Sequence, residues 1–529
     1  MFKKATRTIL SILCLTIAIL ASTRPTFANG TNTIVVNTLD DTRHWEGNCS
    51  LRDAINSANS DHAQDGCKAG VSGLDTIIFA HNLQGGTVAL TGEQLPIHSD
   101  MTIRGNVTIN AQYRSRIFLL GNNNTVTLEN LTLIHGKARF GGGIGVLGSD
   151  LTLKNVTMDR NQATHSGGAI SYGSLVGRLN IISSNFSRNT ATVNGAAIRN
   201  YESDVNIYDS VFTNNFAGEK GGALFNDGGT VTSSATAYTQ NAADEGGAIA
   251  HEDGRLTLNG DTFTRNYGRH SGAGLYLLGY NIRILNSFFE ANTSRDVGGA
   301  ISANTASARI SNTGFQDNVA LSGGAIYSWD ATLDIDHTVF NRNRGRLGGA
   351  IYHTEDRGII TLNTVILQSN RANEGGAIHN TGKMRITDST LVDNHAILGG
   401  AIYNTVGFRR ASQIIIENST LDFNEAFSGA AIMNITPEQV MGTGHIEISN
   451  SQLANNIGEN GPALFNQDAF ATLTANNIMD NEGNAINNAT GNVKLFSNNL
   501  HGNQFSNCVG SITLDSTLPN QDSDGSCAP

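Results

Sequence analysis

The sequence predicts an all-β fold, a parallel β-helix of about 16 coils, and two phased repeats carry this prediction. A Gly-Gly-Ala-Ile-like element recurs 14 times, and its copies begin at Gly141, Gly167, Gly195, Gly221, Gly246, Gly272, Gly298, Gly323, Gly348, Gly375, Gly399, Gly429, Gly461 and Gly483. The 342 residues between the first and last copies comprise 13 intervals, so the mean period is about 26 residues. Five or six residues before nearly every copy lies an apolar-x-x-Asn element, as in Phe186 to Asn189.

Between these elements, apolar residues occupy every second position, as in Leu333-Asp334-Ile335-Asp336. This period of two is typical of strands and excludes helices. Two or three strands of about four to six residues, with their turns, fill one period of about 26 residues. A propeller blade needs roughly 40 residues, so the repeat fits one coil of a β-helix. Stacking then places each residue about 4.8 Å from its equivalent on the next coil.

The repeated glycines and asparagines have structural explanations. Paired glycines supply positions where a Cβ would clash or where φ must be positive. The asparagine column is predicted to stack its side-chain amides along the axis, each donating to the next, which satisfies polar groups at a buried turn. Because fourteen equivalent copies cannot all be one site, we interpret this column as structural and not catalytic.

Composition and charge exclude several classes of protein. Hydrophobic residues make up 39% of the 529 residues and charged residues 15%, which indicates a folded chain. The 34 basic and 45 acidic residues give a net charge of -11, and without the four basic residues of the first 28 the charge is 30 minus 45, or -15. Such an acidic chain lacks the excess of positive charge expected of a protein that binds nucleic acid or an anionic membrane surface.

Residues 1–28 have the pattern of a cleaved signal peptide. Lys3, Lys4 and Arg7 precede an apolar run over 9–21, and Thr26-Phe27-Ala28 ends in a small residue suited to cleavage. The run is shorter than the roughly 20 residues needed to span a bilayer. We therefore expect a secreted or cell-surface protein without a transmembrane segment in its mature chain.

Four cysteines remain after the signal, and they form one close pair near each end of the mature chain. Exported chains meet oxidising conditions, and an even count suits pairing. The predicted disulfides are Cys49 to Cys67 and Cys508 to Cys527. Metal binding is the weaker interpretation, because no Cys-x-x-Cys motif or clustered His accompanies them. We predict neither a metal nor a cofactor.

A solenoid exposes apolar interior and strand edges at both ends, so both ends need caps. Ser50 followed by Asp53 resembles a helix N-cap box. The residues that follow at i, i+3, i+4 and i+7 predict a short helix with one apolar face, formed by Leu51, Ala54, Ile55 and Ala58. The expected organisation is a cap with the first coils over 29–110, β-helix repeats over 111–490, and a disulfide-closed cap over 491–529.

The stretch 48–55, Asn-Cys-Ser-Leu-Arg-Asp-Ala-Ile, closely resembles the motif of the CSLREA domain, with Asp53 in place of its Glu. The stretch 74–79 also resembles that family. From about residue 115 to 490, the repeats resemble those of chlamydial polymorphic outer-membrane proteins and of secreted bacterial right-handed β-helix proteins. The tail from Asn507 to Cys527 is similar to the end region of such chains. This resemblance implies a single-stranded, right-handed parallel β-helix on the cell surface or secreted, in some members adhesive, without a shared reaction.

Right-handed β-helices also host pectate lyases and polygalacturonases, so an enzyme is the alternative. The polygalacturonase signatures Asn-Thr-Asp, Gly-His-Gly and Arg-Ile-Lys are absent. The stretch 333–337 resembles the Trp-Ile-Asp-His stretch of pectate lyases. However, Asp336-His337 occupies the slot that other coils fill with pairs such as Asn312-Thr313 and Asp388-Ser389, which indicates a turn. The adjacent acids Asp40 and Asp41 precede the cap. Catalytic residues remain unknown, and a secreted polysaccharide lyase or hydrolase stays the alternative function.

One column departs from the repeat. If the isoleucine of each Gly-Gly-Ala-Ile element points inward, the next residue points outward, and on four successive coils these residues are Tyr327, Tyr352, His379 and Tyr403. Phe225, Tyr276 and Phe465 occupy equivalent positions. An aromatic strip could stack on sugar rings or a partner protein, with His379 adding pH dependence near its ordinary pKa of about 6.5. Alternatively the rings stabilise the sheet by stacking on each other, or the loop 436–444 covers them.

These observations favour a monomeric, non-enzymatic, adhesin-like scaffold that is secreted or held at the cell surface. The predicted partner is a surface glycan, or a protein of a host or neighbouring cell.

Overall fold

The computed structural model is a parallel β-solenoid of about 17 turns, close to the predicted number. It describes residues 32–41, 47–173, 176–354, 357–407, 411–438, 440, 442–458, 461–514 and 518–527. The predicted signal peptide and Cys14 lie outside the described residues.

Each regular coil contributes three strands to the main sheet, and we number these strands by their order after the glycine pair. The first strands are Leu95–Ile97, Phe118–Leu120, Ile144–Val146, Ile170–Gly173, Ile198–Tyr201, Leu224–Asp227, Ile249–Glu252, Leu275–Leu277, Ile301–Asn304, Ile326–Trp329, Ile351–Thr354, Ile378–Asn380, Ile402–Thr405, Ile432–Ile435 and Leu464–Gln467. The second strands are Asn32–Val36, Asp75–Phe79, Asp150–Lys154, Arg178–Ile182, Asp204–Tyr208, Thr230–Ser234, Arg255–Asn259, Ile282–Leu285, Ser307–Ser311, Thr332–Asp336, Ile359–Asn363, Lys383–Thr387, Gln413–Glu417, His445–Ser449 and Ala469–Thr474.

The third strands are Thr87–Ala89, Thr157–Asp159, Asn185–Ser187, Val211–Thr213, Ala237–Thr239, Thr262–Thr264, Phe288–Glu290, Gly314–Gln316, Val339–Asn341, Ile366–Gln368, Thr390–Val392, Thr420–Asp422, Gln452–Ala454, Asn477–Met479, Asn499–His501 and Gln521–Asp522. Four longer strands each span two of these positions: Met101–Asn110, Thr125–Ile134, Ile486–Phe496 and Cys508–Leu514. Short fourth strands before some glycine pairs form two small sheets: Lys137–Phe140, Gln162–Ser166, Thr190–Ala191, Phe216–Ala217, Ala242–Glu245, Tyr267–Ser271 and Thr293–Ser294, and His395–Leu398 with Glu425–Ser428.

The strands of successive coils pair in parallel and in register. Ile326 pairs with Ile351, which pairs with Ile378, which in turn pairs with Ile402. All four side chains are fully buried. The predicted period and the inward direction of the isoleucine column are therefore confirmed, and the core is one continuous apolar column along the axis.

The predicted asparagine ladder is also confirmed. Asn292 illustrates it: its backbone N and its Nδ2 both donate to Oδ1 of Asn318 at 3.0 Å, and Nδ2 also donates to the carbonyl of Phe263 at 2.8 Å. The same bonds link Asn161, Asn189, Asn215, Asn241, Asn266, Asn292, Asn318, Asn343, Asn370, Asn394, Asn424, Asn456 and Asn481. Beside this ladder, seven aromatic rings stack at centroid distances of 4.6 to 5.2 Å, from Phe186 to Phe340.

The glycine pairs behave as predicted. Gly375 has φ of +64°, and a Cβ on Gly376 would lie 2.0 Å from the carbonyl oxygen of Gly400 on the next coil. The pair thus closes a tight turn and permits close contact between coils.

A helical cap and two disulfides lie at the ends. The helix Leu51–Ser60 is capped by Ser50, which accepts a bond from the backbone N of Asp53, and it buries the predicted apolar face. A single turn of 3₁₀ helix, His81–Leu83, follows. Both predicted disulfides are present, Cys49–Cys67 and Cys508–Cys527. The sequence did not suggest the buried ion pair between Arg52 and Asp41 at 2.8 Å, which ties the helix to the preceding segment.

Candidate functional site

The predicted aromatic column exists. Backbone registers pair Tyr327 with Tyr352, Tyr352 with His379, and His379 with Tyr403. Their ring centroids are separated by 5.6, 4.8 and 5.0 Å in that order. The four side chains therefore form one continuous row of ring contacts on the outer face of the first strands, stacked between Tyr327 and Tyr352 and tilted at the two contacts of His379.

The expectation that the whole column is exposed is wrong for two of these four side chains, and for Phe225 and Tyr276 on earlier coils. Tyr327 and Tyr352 are half-buried, whereas His379 is 4% exposed and Tyr403 is 7% exposed. Burial lowers the pKa of His379 to about 3, so the predicted titration near 6.5 does not fit this side chain. The accessible part of the column is the tyrosine pair Tyr327 and Tyr352.

The turn at the glycine pair places an acidic side chain against the buried end of this column. The residues before successive glycine pairs form their own column, in which Leu347 bridges to Glu374 and Glu374 to Leu398. The turn brings Oε2 of Glu374 to 3.5 Å from Nδ1 of the neutral His379 ring, without hydrogen-bond geometry. We call the surface formed by Tyr327, Tyr352, His379, Tyr403 and Glu374 the glycine corner.

Nearer the N-terminus, the aromatic side chains of the same column are buried. Phe225 and Tyr276 belong to it and are 5% and 7% exposed. Lys220 lies over the Tyr276 ring at 5.6 Å and pairs with Glu245 at 3.5 Å and with Glu252. The Tyr276 ring and the charges of Lys220, Glu245 and Glu252 thus contact each other, which leaves little aromatic surface for a ligand.

Sequence reasoning missed an exposed aromatic residue on the same strand as Tyr327. Trp329 lies two residues after Tyr327 in the strand Ile326–Trp329 and is 41% exposed. Because side chains two residues apart share a strand face, the alternation that identified Tyr327 also placed Trp329 beside it.

The interior of the coils contains buried titratable groups, among them His251, His353 and Asp261. His251 and His353 lie in an inner column where other coils carry asparagine, and burial lowers the pKa of each to about 4. Asp261 accepts from the backbone N of Thr236 at 2.9 Å and from the Ser233 hydroxyl at 3.1 Å, and burial raises its pKa to about 7. All three are fully buried, so they bear on stability and not on a ligand.

The catalytic candidates from the sequence occupy structural positions. The sequence alignment of this turn was wrong by one residue: Asp336 pairs with Ser311, so His337, with φ of +49°, is equivalent to Asn312 and Asp388, which have φ of +50°. Asp336 accepts a bond from Arg309 at 3.2 Å. Asp41 forms the buried ion pair with Arg52 in the N-terminal cap. Throughout the described ranges, no three His, Cys, Asp or Glu side chains are grouped as metal ligands would be. Among the same residues, no helix is long and apolar enough to cross a membrane.

Comparisons with known proteins give a short family match and distant structural similarity. Residues 209–227 match the Chlamydia polymorphic membrane protein repeat. No curated protein sequence matches the chain significantly. The PL6 family alginate lyase AlyGC is 11% identical, with a TM-score of 0.29, over 83% of this chain and 97% of its own. PfbA, a surface adhesin of Streptococcus pneumoniae, is 10% identical, with a TM-score of 0.20, over 84% of this chain and 85% of its own. Similarity at this level carries no functional argument.

Proposed function

We propose that the protein is an exported, adhesin-like β-helix scaffold that binds a surface glycan at the glycine corner and catalyses no reaction. The observation that carries this proposal is the tyrosine pair: two rings on adjacent coils, 5.6 Å apart and inclined by 21°, with part of their surface open to solvent. Aromatic rings in such an array stack on the apolar faces of sugars, as they do on other rings.

The regularity of the rest of the molecule supports binding over catalysis. A catalytic site needs an acid, a base or a nucleophile held in a unique geometry. Asp336 and His337 belong to the turn pattern, and Asp41 to the cap. The outer aromatic column, in contrast, changes its residue type from coil to coil and has no part in closing the turns.

The experiment compares Tyr327→Ala/Tyr352→Ala with Tyr208→Ala in the exported chain. Tyr208 is 42% exposed at the end of a second strand, so its loss is a matched control. Binding to a glycan panel is measured by biolayer interferometry, and folding by circular dichroism. We expect the double variant to lose about tenfold in affinity, from roughly 0.5 to 1.5 kcal/mol per aromatic contact.

Three results would contradict the proposal. Equal binding by the double variant and the control would place the ligand elsewhere. Loss of the β spectrum in the double variant would make the rings a structural stack. New reducing ends or unsaturated sugars during incubation with glycans would instead establish the alternative, a polysaccharide hydrolase or lyase.

A further inference from the structure

Three exposed arginines lie in the segments that lead into the glycine corner. Arg344 and Arg371 are bridged in register on successive coils, and Arg346 is two residues after Arg344. The carbonyl of Arg346 accepts from the backbone N of Asn373 at 3.0 Å and of Glu374 at 3.2 Å, so Arg346 stacks directly against the segment that carries Glu374. We call Arg344, Arg346 and Arg371 the arginine wall.

Among the described residues the three wall arginines form no ion pair, which is also true of Arg283 and Arg295 on earlier coils but not of three other arginines nearby. Arg309 pairs with Asp336 at 3.2 Å, Arg342 with Asp317 at 2.8 Å, and Arg385 with Glu417 at 2.5 Å. Within the part of the chain that the structure describes, no carboxylate oxygen lies within 4.0 Å of a wall guanidinium. The next member of the bridged column is His395, whose Nδ1 lies 2.9 Å from a carboxylate oxygen of Glu425. The column of bridged arginines therefore ends at this coil.

Such a group is unfavourable by itself. Like charges at directly paired positions of adjacent strands destabilise a sheet. The chain has 45 acidic residues, so a shortage of carboxylates does not explain why these arginines stay unpaired. An anionic ligand that reaches both coils would remove this repulsion.

The wall and the tyrosine pair occupy the same coils. Glu374 connects them: it follows Asn373, which is bonded to Arg346, and its carboxylate contacts His379 in the aromatic stack. Burial raises the pKa of Glu374, and the charge of Arg346 offsets part of this effect. Nδ1 of His379, nearly fully buried in the corner, has no hydrogen-bond partner in the described residues.

From this juxtaposition we infer that the ligand is an acidic polysaccharide running along the solenoid axis. Its sugar rings stack on Tyr327 and Tyr352, and its carboxylate or sulfate groups bind the arginine wall. The guanidinium fork matches either anion in a bidentate geometry, and the step of about 4.8 Å between coils repeats both features along one direction. This inference rests on the proposed function, because it specifies the ligand of the same corner.

The test uses four probes with the exported chain: polygalacturonate, which carries carboxylates; heparin, which carries sulfates; dextran, which is neutral; and single-stranded DNA. The wall variant is Arg344→Gln/Arg346→Gln/Arg371→Gln. Its matched control, Arg309→Gln/Arg342→Gln/Arg385→Gln, removes three paired arginines and changes the net charge equally. Thermal melting followed by circular dichroism checks that both variants fold.

We expect the wall variant to bind polygalacturonate or heparin about tenfold or more weakly, and the control less than about threefold more weakly. Preference between these two probes identifies carboxylate or sulfate as the source of the charge. Glu374→Gln removes a negative charge from the corner and should strengthen binding by about two- to fivefold.

Other outcomes separate the two proposals. Dextran binding that depends on Tyr327 and Tyr352 but not on the wall would overturn the acidic ligand and retain the glycan site. Equal losses in the wall and control variants, or equal binding of DNA, would reduce the effect to general charge attraction and overturn the inference. Failure of every glycan to bind would overturn the proposed function as well.

Discussion

The asparagine ladder and the aromatic column repeat with the same step along the same solenoid, yet they differ in every other respect. In the ladder each member is asparagine, is fully buried and makes the same three bonds as Asn292. In the column the residue type changes between coils, and the exposure falls from the half-buried Tyr352 to the buried His379. Identical residues therefore mark what holds the coils together, and variable residues at equivalent positions mark where a surface was specialised.

The largest test of this difference removes one rung of the ladder. Asn292→Ala leaves the backbone N and Nδ2 of Asn266 without their acceptor and the Phe263 carbonyl without its donor. Because unsatisfied buried groups cost about 1 to 3 kcal/mol each, we expect a loss of about 4 kcal/mol in the free energy of unfolding, measured by chemical denaturation. Asn206→Ala, which removes a single half-buried amide bond to Asn180, should cost about 1 kcal/mol. Equal losses would contradict a special role for the ladder.

A second prediction concerns the histidines that replace asparagine inside. The folded pKa values of His251 and His353, about 4, lie below the unfolded value near 6.5, so the stability they contribute is full above pH 6.5 and is lost as pH falls. Between about pH 6.5 and pH 5, this loss should reach about 3 kcal/mol for the pair.

His251→Asn/His353→Asn should make the unfolding free energy less dependent on pH over that range, as denaturation at several pH values would show. His337→Asn changes an exposed side chain and serves as the control. An unchanged acid profile in the double variant would assign the sensitivity to other groups.

The smallest expected effect has the opposite sign. The folded pKa of Asp261, about 7, lies above the unfolded value near 4, so its contribution to stability is full below pH 4 and is lost as pH rises through 7. We expect Asp261→Ser, the residue type of the next coil at Ser287, to abolish a fall of about 1 kcal/mol in unfolding free energy between about pH 6 and pH 8. Asp204→Ser, at an exposed position, is the control. A wild-type profile that is flat between these values would refute the assignment.

The sequence predicted features that depend on period and alternation. The phased glycines and asparagines were sufficient to predict the coil, the asparagine ladder and the inward direction of the isoleucines. The cysteines near each end were sufficient to predict the two disulfides. Alternation also placed Tyr327 and His379 on the outer face. It could not show that Glu374 would fold against His379, because burial at a turn depends on the path of the backbone after the glycine pair.

The arginine wall was missed for a related reason. Arg344 and Arg371 precede the glycine pair in a segment with only short strands and isolated bridges, where alternation gives no direction for side chains. Whether an arginine is paired depends on contacts between coils, as with Arg342 and Asp317, which are 25 residues apart. The ion pair between Asp41 and Arg52 was not predicted either, because only the folded cap brings these two side chains together.

Because each coil stacks in register on the next, the number of coils fixes the distance between any two positions along the solenoid axis. The strand that carries Tyr327 is the tenth of the first strands, and each coil adds about 4.8 Å of height. Each coil contacts chiefly its two neighbours, so duplication or loss of one whole repeat on the N-terminal side would move the glycine corner by a single step and leave its internal contacts unchanged. Gene segments of this length can therefore set how far the corner stands from the capped end, independently of what it binds.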